Sequence, residues 1–185
     1  MRDSLAIFAA AAGLEVGEPL SVPWGRSDSE IGISFPADYR DFMEYFGPGE
    51  LWGDLSVVAP WSRLRGEQGG FGAFVDYFAA GMGGALVRMR EEDSGRCPYP
   101  IFPEVGGLLE WGSNFNGDTC FWLTQGSNPD SWPTIVWLRG RNFEDPWCRY
   151  DVGFLDFLNM VVVGDDPVLN DLVYPREGPI WTPIC

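Results

Sequence analysis

Carboxylates are the only abundant side chains in this chain that could do acid–base chemistry, because it has 27 Asp and Glu residues and no His among 185 residues. Histidine is the usual general base near neutral pH, so its absence excludes Ser-His-Asp and Cys-His catalytic arrangements. A pair of carboxylates could still act as acid and base, as in glycoside hydrolases. With so many acids, however, such pairs arise by chance. Their spacing therefore predicts no catalytic site.

Motifs for cofactors and metals are absent from the sequence. Gly70-Phe71-Gly72 begins like a dinucleotide-binding loop, but Val75 occupies the position of its third glycine. If Gly117 is placed at position six of a calcium loop, a glycine and a leucine fall where the first and last carboxylates belong. The four cysteines, Cys97, Cys120, Cys148 and Cys185, form no C-x-x-C pair, which favours free thiols over a zinc site. We expect neither an enzyme nor a bound cofactor or metal.

The charge of the chain predicts what kind of partner it binds. Its 12 basic residues are all Arg, and the net charge is −15. Such a field repels nucleic acid and attracts a cationic partner. No apolar stretch approaches the ~20 residues of a membrane span. The apolar run at residues 5–12 lacks the positive flank of a signal peptide, and residues 4–14 are predicted to form a short helix. We therefore expect a cytoplasmic protein that binds neither nucleic acid nor membrane.

The best-defined element predicted from sequence is a helix over residues 36–46. Pro36 stands at its start, Asp38 lies in its first turn and Gly47 ends it. Its apolar residues recur at the i, i+3, i+4 and i+7 positions that define one face of a helix. That face predicts docking on a core. Its members are Tyr39, Phe42, Met43 and Phe46.

The sheet is predicted from short apolar runs separated by turns. Asn116-Gly117 predicts a tight hairpin between strands near 108–111 and 118–123. Glycines at 81, 83 and 84 predict a broken helix within 71–92, and Asp151 is a candidate N-cap for a closing helix that ends at Gly164. The order of elements predicts a single α+β domain with an antiparallel sheet of about four to six strands and helices packed on it. Further strands are expected at residues 51–52, 55–58, 134–138 and 149–150.

The order of these pieces resembles the SUKH superfamily, which joins bacterial immunity proteins of polymorphic toxin systems to a fungal regulator of cell-wall synthesis. The resemblance covers residues 30–164 of a domain spanning 1–185 and leaves 165–185 as a C-terminal extension. It rests on the following packing and turn residues: Pro36 to Phe46, Gly47 to Gly53, Gly107 to Gly112, Asn116-Gly117-Asp118, Phe121 to Thr124, Trp132 to Val136, and Gly153 to Leu158.

The resemblance implies an immunity protein that neutralises a cognate toxin domain by binding it. Such toxins are often nucleases, whose active face must be basic, so an acidic inhibitor would be steered onto it. The alternative is a non-catalytic regulatory scaffold of the cell-wall-regulator type, and a more distant one is a sugar-binding or hydrolytic protein that uses its tryptophans. Acids and one aromatic at a predicted helix end or hairpin tip are the candidate toxin-binding residues. These are Glu91, Glu92, Asp93, Asp118, Asp130 and Trp132.

Overall fold

A seven-stranded antiparallel sheet forms the centre of the protein in a computed structural model, which describes residues 3–61, 70–140, 146–164, 166–175 and 177–184. The strands are β1 Gly49–Leu51, β2 Leu55–Val57, β3 Leu108–Ser113, β4 Thr119–Leu123, β5 Thr134–Trp137, β6 Trp147–Tyr150 and β7 Trp181–Pro183. Their order in the sheet is β6-β5-β4-β3-β2-β1-β7. The α+β class is confirmed, but the sheet has one strand more than the upper end of the predicted range.

Seven α-helical segments surround the sheet among the described residues. The segments are α1 Asp3–Ala12, α2 Arg26–Ile31, α3 Ala37–Tyr45, α4 Phe71–Phe78, α5 Gly84–Glu92, α6 Phe154–Val163 and α7 Pro167–Leu172. The predicted first helix is α1, which ends two residues early, the predicted helix over 36–46 is α3, and the predicted closing helix is α6. The short helices α2 and α7 are not predicted from sequence. None of the helices in the described part of the chain has the length and apolarity to cross a membrane.

One face of the sheet packs against α1, α3 and α6, and this is where the predicted apolar face of α3 lies. Tyr39, Phe42 and Met43 are fully buried. Tyr39 contacts Trp122 of β4 edge-on, with ring centroids 4.8 Å apart. Phe154 at the start of α6 contacts Trp111 of β3 in the same way at 5.0 Å. The aromatic content of the sequence is therefore concentrated in this interior layer.

The opposite face of the sheet is covered in part by α4 and α5, which a π-helical turn, Ala79–Gly83, joins. Gly81 leaves helical geometry within that turn, so the predicted break in the helix is confirmed. A Cβ atom on Gly83 would lie 2.8 Å from the Phe78 ring, and Phe78 in turn contacts Phe121 of β4. The glycines thus allow the chain to turn closely around the side chain that docks this helix pair on the sheet.

Helices α3 and α6 have no capping side chain of their own and take one from a neighbouring element. The Ala37 N–H donates to Asp130 at 2.6 Å, and the Leu155 N–H donates to Asp38 at 3.1 Å. Gly153, not Asp151, is the N-cap position of α6, so the predicted cap is wrong. A Cβ atom at Gly153 would lie 2.7 Å from the Asp38 carboxylate, so a larger residue there would displace the carboxylate that accepts the Leu155 N–H.

The C-terminal extension belongs to the same core. Leu169 and Leu172 of α7 are buried, and Trp181 of β7 packs edge-on against Phe42 at 5.0 Å. Strand β7 pairs with β1, opposing Trp181 to Leu51. Among the cysteines, Cys97 and Cys120 are buried free thiols, Cys148 on β6 is half-buried, and Cys185 lies outside the described residues.

Candidate interaction surface

The predicted partner-binding residues lie in three separate places. Glu91, Glu92 and Asp93 are at the C-terminal end of α5, Asp118 follows the turn between β3 and β4, and Asp130 and Trp132 belong to the 3-10 segment before β5. Only the first group is both exposed and without a packing role in the interior.

The acidic end of α5, defined as Glu91, Glu92 and Asp93, is exposed along its whole length. The C-terminus of a helix carries a partial negative charge, so carboxylates placed there are repelled. Two arginines lie nearby: Arg90 binds Glu104, and Arg96 approaches Glu92 to 3.7 Å. Both ion pairs are solvent-exposed, where such pairs contribute little. This end of the helix therefore exposes three carboxylates to solvent, close to Arg88 and Arg90 of the same helix and to Arg96.

Asp118 is not a surface residue, because only 6% of it is exposed. One of its carboxylate oxygens accepts from the Arg139 N–H at 2.7 Å and the other from Asn114 Nδ2 at 2.8 Å. These bonds hold the β3–β4 turn against the chain that follows β5. The choice of Asp118 as a contact with a partner is corrected, since its carboxylate serves the turn.

Trp132 is also corrected, whereas Asp130 stays a candidate contact and has a structural role as well. Asp130 is exposed, but its Oδ1 caps α3 through the Ala37 N–H. Trp132 is 4% exposed, so its ring cannot anchor a partner. The sequence places Trp132 just after a turn, where an exposed ring would be expected. The fold instead turns it inward because Pro133 and Thr134 continue directly into a buried strand.

The structure shows a groove of about 400 Å³ that sequence reasoning missed. We call it the hairpin groove. It lies between the β3–β4 turn, the segment after β5 and the end of α7. Its lining residues are Asn116, Asp118, Leu138, Gly140, Asp171 and Tyr174.

One exposed aromatic side chain lines this groove, and another precedes its lining residue Asn116 in the chain. Phe115, at the centre of the β3–β4 turn, is 76% exposed, and Tyr174, two residues after α7, is 55% exposed. Most aromatic rings in the described part of the chain are buried, so the exposure of Phe115 and Tyr174 distinguishes this end of the molecule. Phe115 could have been found from sequence, because it occupies a turn that Asn116-Gly117 predicts. Nothing in the pattern around Tyr174 indicates its exposure.

Buried Asn114 fixes the frame of the hairpin groove. Its Nδ2 donates to Asp118 and to the Leu172 carbonyl, both at 2.8 Å, and its Oδ1 accepts the Asp118 N–H at 2.9 Å. Gly117 closes the turn with φ +83° and an N–H bond to the Asn114 carbonyl. The Tyr174 N–H reaches Asp54, itself 3% exposed, at 3.4 Å. The turn and the end of α7 are thus joined by buried hydrogen bonds.

The most perturbed carboxyl group among the described residues lies away from both surfaces. Burial raises the pKa of Glu110 on β3 to about 7, while a hydrogen bond from Ser113 opposes the shift. A bulge at Trp111 and Gly112 places Glu110 and Ser113 on the same face of the sheet. Burial also raises the pKa values of Tyr39 and Cys120. No group of three or more His, Cys, Asp or Glu residues in the described part of the chain could hold a metal ion.

Comparison with known proteins adds no relative, because the chain matches no family model, no curated protein and no solved structure.

Proposed function

We propose that this chain is a bacterial immunity protein of the SUKH type, which acts in the cytoplasm by binding a cognate polymorphic toxin domain and neutralising it without chemistry. The observation that carries the proposal is the acidic end of α5, exposed on a chain of net charge −15. The order of helices, hairpin and closing helix that resembles the superfamily supports it.

The position of the three acids favours a binding role over simple solubility. Each exposed carboxylate in the last turn of a helix opposes the helix dipole by about 0.3–1 kcal/mol. The same charge at a helix N-terminus would add solubility and stability together. Acids that destabilise their own helix are expected where their negative charge has a function. Here that function is the attraction of a basic partner.

A basic toxin, such as a nuclease whose active face holds nucleic acid, suits this surface. Charge complementarity raises association rates well above the unsteered ~10⁵–10⁶ M⁻¹s⁻¹. The inhibitor then blocks the toxin by covering its basic face, and none of its own groups needs to react. The alternative function is a regulatory scaffold that binds several cellular partners and neutralises none.

The direct test is co-expression with the toxin encoded by a neighbouring gene. The wild-type protein should restore growth of cells that express the toxin, and the purified pair should form a stable complex. If the protein neither binds nor protects against any adjacent toxin and instead retains several unrelated cellular proteins, the scaffold function replaces this proposal.

A charge-matched pair of variants tests the role of the acidic end of α5. Glu91→Gln, Glu92→Gln and Asp93→Asn are combined in one variant, and the control combines Glu15→Gln, Glu18→Gln and Glu177→Gln. All six residues are exposed, and each variant changes the net charge by three units. The α5 variant should bind the toxin more slowly and with weaker salt dependence, while its dissociation rate changes little. Equal slowing by both variants would show that net charge alone steers the encounter.

A further inference from the structure

The two outer strands of the sheet differ in the hydrogen-bonding groups that they turn outward. At the β7 edge, the Ile184 N–H donates to the Pro48 carbonyl of the chain leading into β1. Because neighbouring residues of a strand face opposite sides in an antiparallel pair, the backbone of Pro183 points away from β1. Proline has no N–H to donate, so this edge lacks a donor where another strand would pair.

Strand β6 at the other end of the sheet has an outward edge with both donors and acceptors. The Leu138 N–H donates to the Pro146 carbonyl, and the register of β5 and β6 then turns the backbone groups of Tyr150 toward β5 as well. Arg149 alternates with these residues, so its N–H and its carbonyl point outward. Asp151 is the next residue in that alternation. This edge can therefore accept a further antiparallel strand.

The side chains along this edge are complementary to a second copy of themselves. Arg149 and Asp151 lie on one face of the chain, where the guanidinium contacts the carboxylate at 2.7 Å, and their side chains are 40% and 74% exposed. If two β6 strands pair about a two-fold axis at Tyr150, Arg149 of each copy stands opposite Asp151 of the other. Opposite charges that face each other across a strand pair stabilise it. A two-fold axis at Arg149 would instead set like charges opposite each other.

We propose that the β6 edge pairs with the β6 edge of a second copy of this chain, so that two seven-stranded sheets continue into one another across a two-fold axis. In this register Arg149 and Asp151 exchange both of their main-chain hydrogen bonds with each other across the axis. Tyr150, whose ring packs edge-on against Phe157 at 5.3 Å, lies beside its counterpart, and cross-strand aromatic pairs add stability. The proposal concerns the chain alone and does not depend on a toxin.

The net charge of −15 on each copy opposes this association. Repulsion between the two whole molecules acts over a long distance and is screened by salt, whereas the main-chain bonds of the edge act only at contact. Dimers should therefore form more readily as the salt concentration rises. Binding of a basic toxin should weaken with salt, so the two kinds of association have opposite salt dependences.

Sedimentation of the full chain over a range of protein concentrations measures the association. The runs compare about 0.01 M with about 1 M NaCl, between which the Debye length falls from roughly 30 Å to roughly 3 Å. Wild type should form dimers as its concentration rises, and more of them at the higher salt. Amide hydrogen exchange should then be slower at Arg149 and Asp151 in a concentrated sample than in a dilute one. A chain that is monomeric under all these conditions, or a dimer that leaves both amides unprotected, would overturn the proposal.

Charge variants test the register of the two edges. Arg149→Asp leaves two acids on each edge and Asp151→Arg leaves two arginines, so each variant alone should raise the dissociation constant of the dimer at least about threefold. A mixture of the two variants should associate again, because the acids of one then face the arginines of the other. The control is Arg26→Asp on exposed α2, which changes the net charge as Arg149→Asp does and should weaken the dimer less.

A backbone variant tests the edge itself. Arg149→Pro removes the outward N–H and leaves the bonds between β5 and β6 in place, so it should abolish the dimer while the monomer folds. Retained amide spectra in each variant exclude loss of folding as the cause. If wild type, Arg149→Asp and Arg149→Pro form dimers equally well, the contact between copies lies elsewhere and the inference is wrong.

Discussion

Replacement of Glu110 by glutamine should remove a part of the pH dependence of the free energy of unfolding. Burial raises the pKa of this carboxyl group from 4.5 to about 7 in the folded protein. The folded state therefore holds the proton more tightly than the unfolded state does. Stability from this group is complete below pH 4.5, declines as the pH rises from 4.5 to 7, and is lost above 7.

The magnitude follows from the size of the shift. Each pKa unit corresponds to about 1.36 kcal/mol, so the full penalty for ionising Glu110 in the folded protein is about 3 kcal/mol. Between pH 5 and pH 8, both above the sequence pI of about 4.1, the expected loss is about 2–3 kcal/mol. Glu110→Gln keeps the shape of the side chain and cannot ionise. The free energy of unfolding of the variant relative to wild type should therefore rise by that amount across this range.

Urea unfolding of wild type and Glu110→Gln at several pH values measures the difference directly, since the other carboxylates titrate in both proteins. Ser113→Ala provides a second check. The hydrogen bond from Ser113 lowers the Glu110 pKa, so its loss should extend the decline in stability to higher pH. A difference between Glu110→Gln and wild type that stays constant within about 0.5 kcal/mol, the range of ordinary surface changes, would refute the reasoning.

Three further predictions concern the core, the groove and the helix caps. Phe42→Ala should lower the free energy of unfolding by about 3–5 kcal/mol, because the ring is fully buried among Phe8, Phe154 and Trp181. A loss below about 1 kcal/mol in urea unfolding would show that α3 is not docked as described. Asn114→Ala should lower the free energy of unfolding by about 2–4 kcal/mol, because the buried turn loses three hydrogen bonds. Amide hydrogen exchange should become faster both in the turn and in α7. Faster exchange in the turn alone would contradict the link between the two. Asp130→Ala should lower the free energy of unfolding by about 1 kcal/mol, because α3 loses its cap. Asp130→Asn should retain most of the stability, since the amide oxygen can still accept the Ala37 N–H. Equal losses in the two variants would show that the charge of Asp130, and not the cap, stabilises the protein.

Local patterns in the sequence predicted the elements that local interactions determine. Pro36 and Gly47 bracket α3, Asn116-Gly117 makes the β3–β4 turn, and the glycines at 81, 83 and 84 break the helix that covers the sheet. In each case the backbone preference of a few neighbouring residues fixes the outcome.

The elements that sequence reasoning missed depend on distant partners. Strand β7 is three residues long and contains Pro183, so it becomes a strand only by pairing with β1. The capping role of exposed Asp130 cannot be predicted from sequence, because the Ala37 N–H that its carboxylate accepts lies 93 positions away. The exposure of Tyr174 likewise depends on where Asp54 and Leu172 hold the chain.

The position of β7 has a consequence for the order in which the protein folds. Each strand from β2 to β6 pairs with its predecessor, whereas β7 must close a loop of more than 120 residues to reach β1. Closing so long a loop is slow, so this pairing is expected to form after the rate-limiting barrier. Trp181→Ala should then accelerate unfolding and leave the refolding rate almost unchanged. Strand β7 is the outer neighbour of β1, so early detachment of β7 would expose the edge of β1 to other chains. Resistance to aggregation then depends on how slowly β7 detaches.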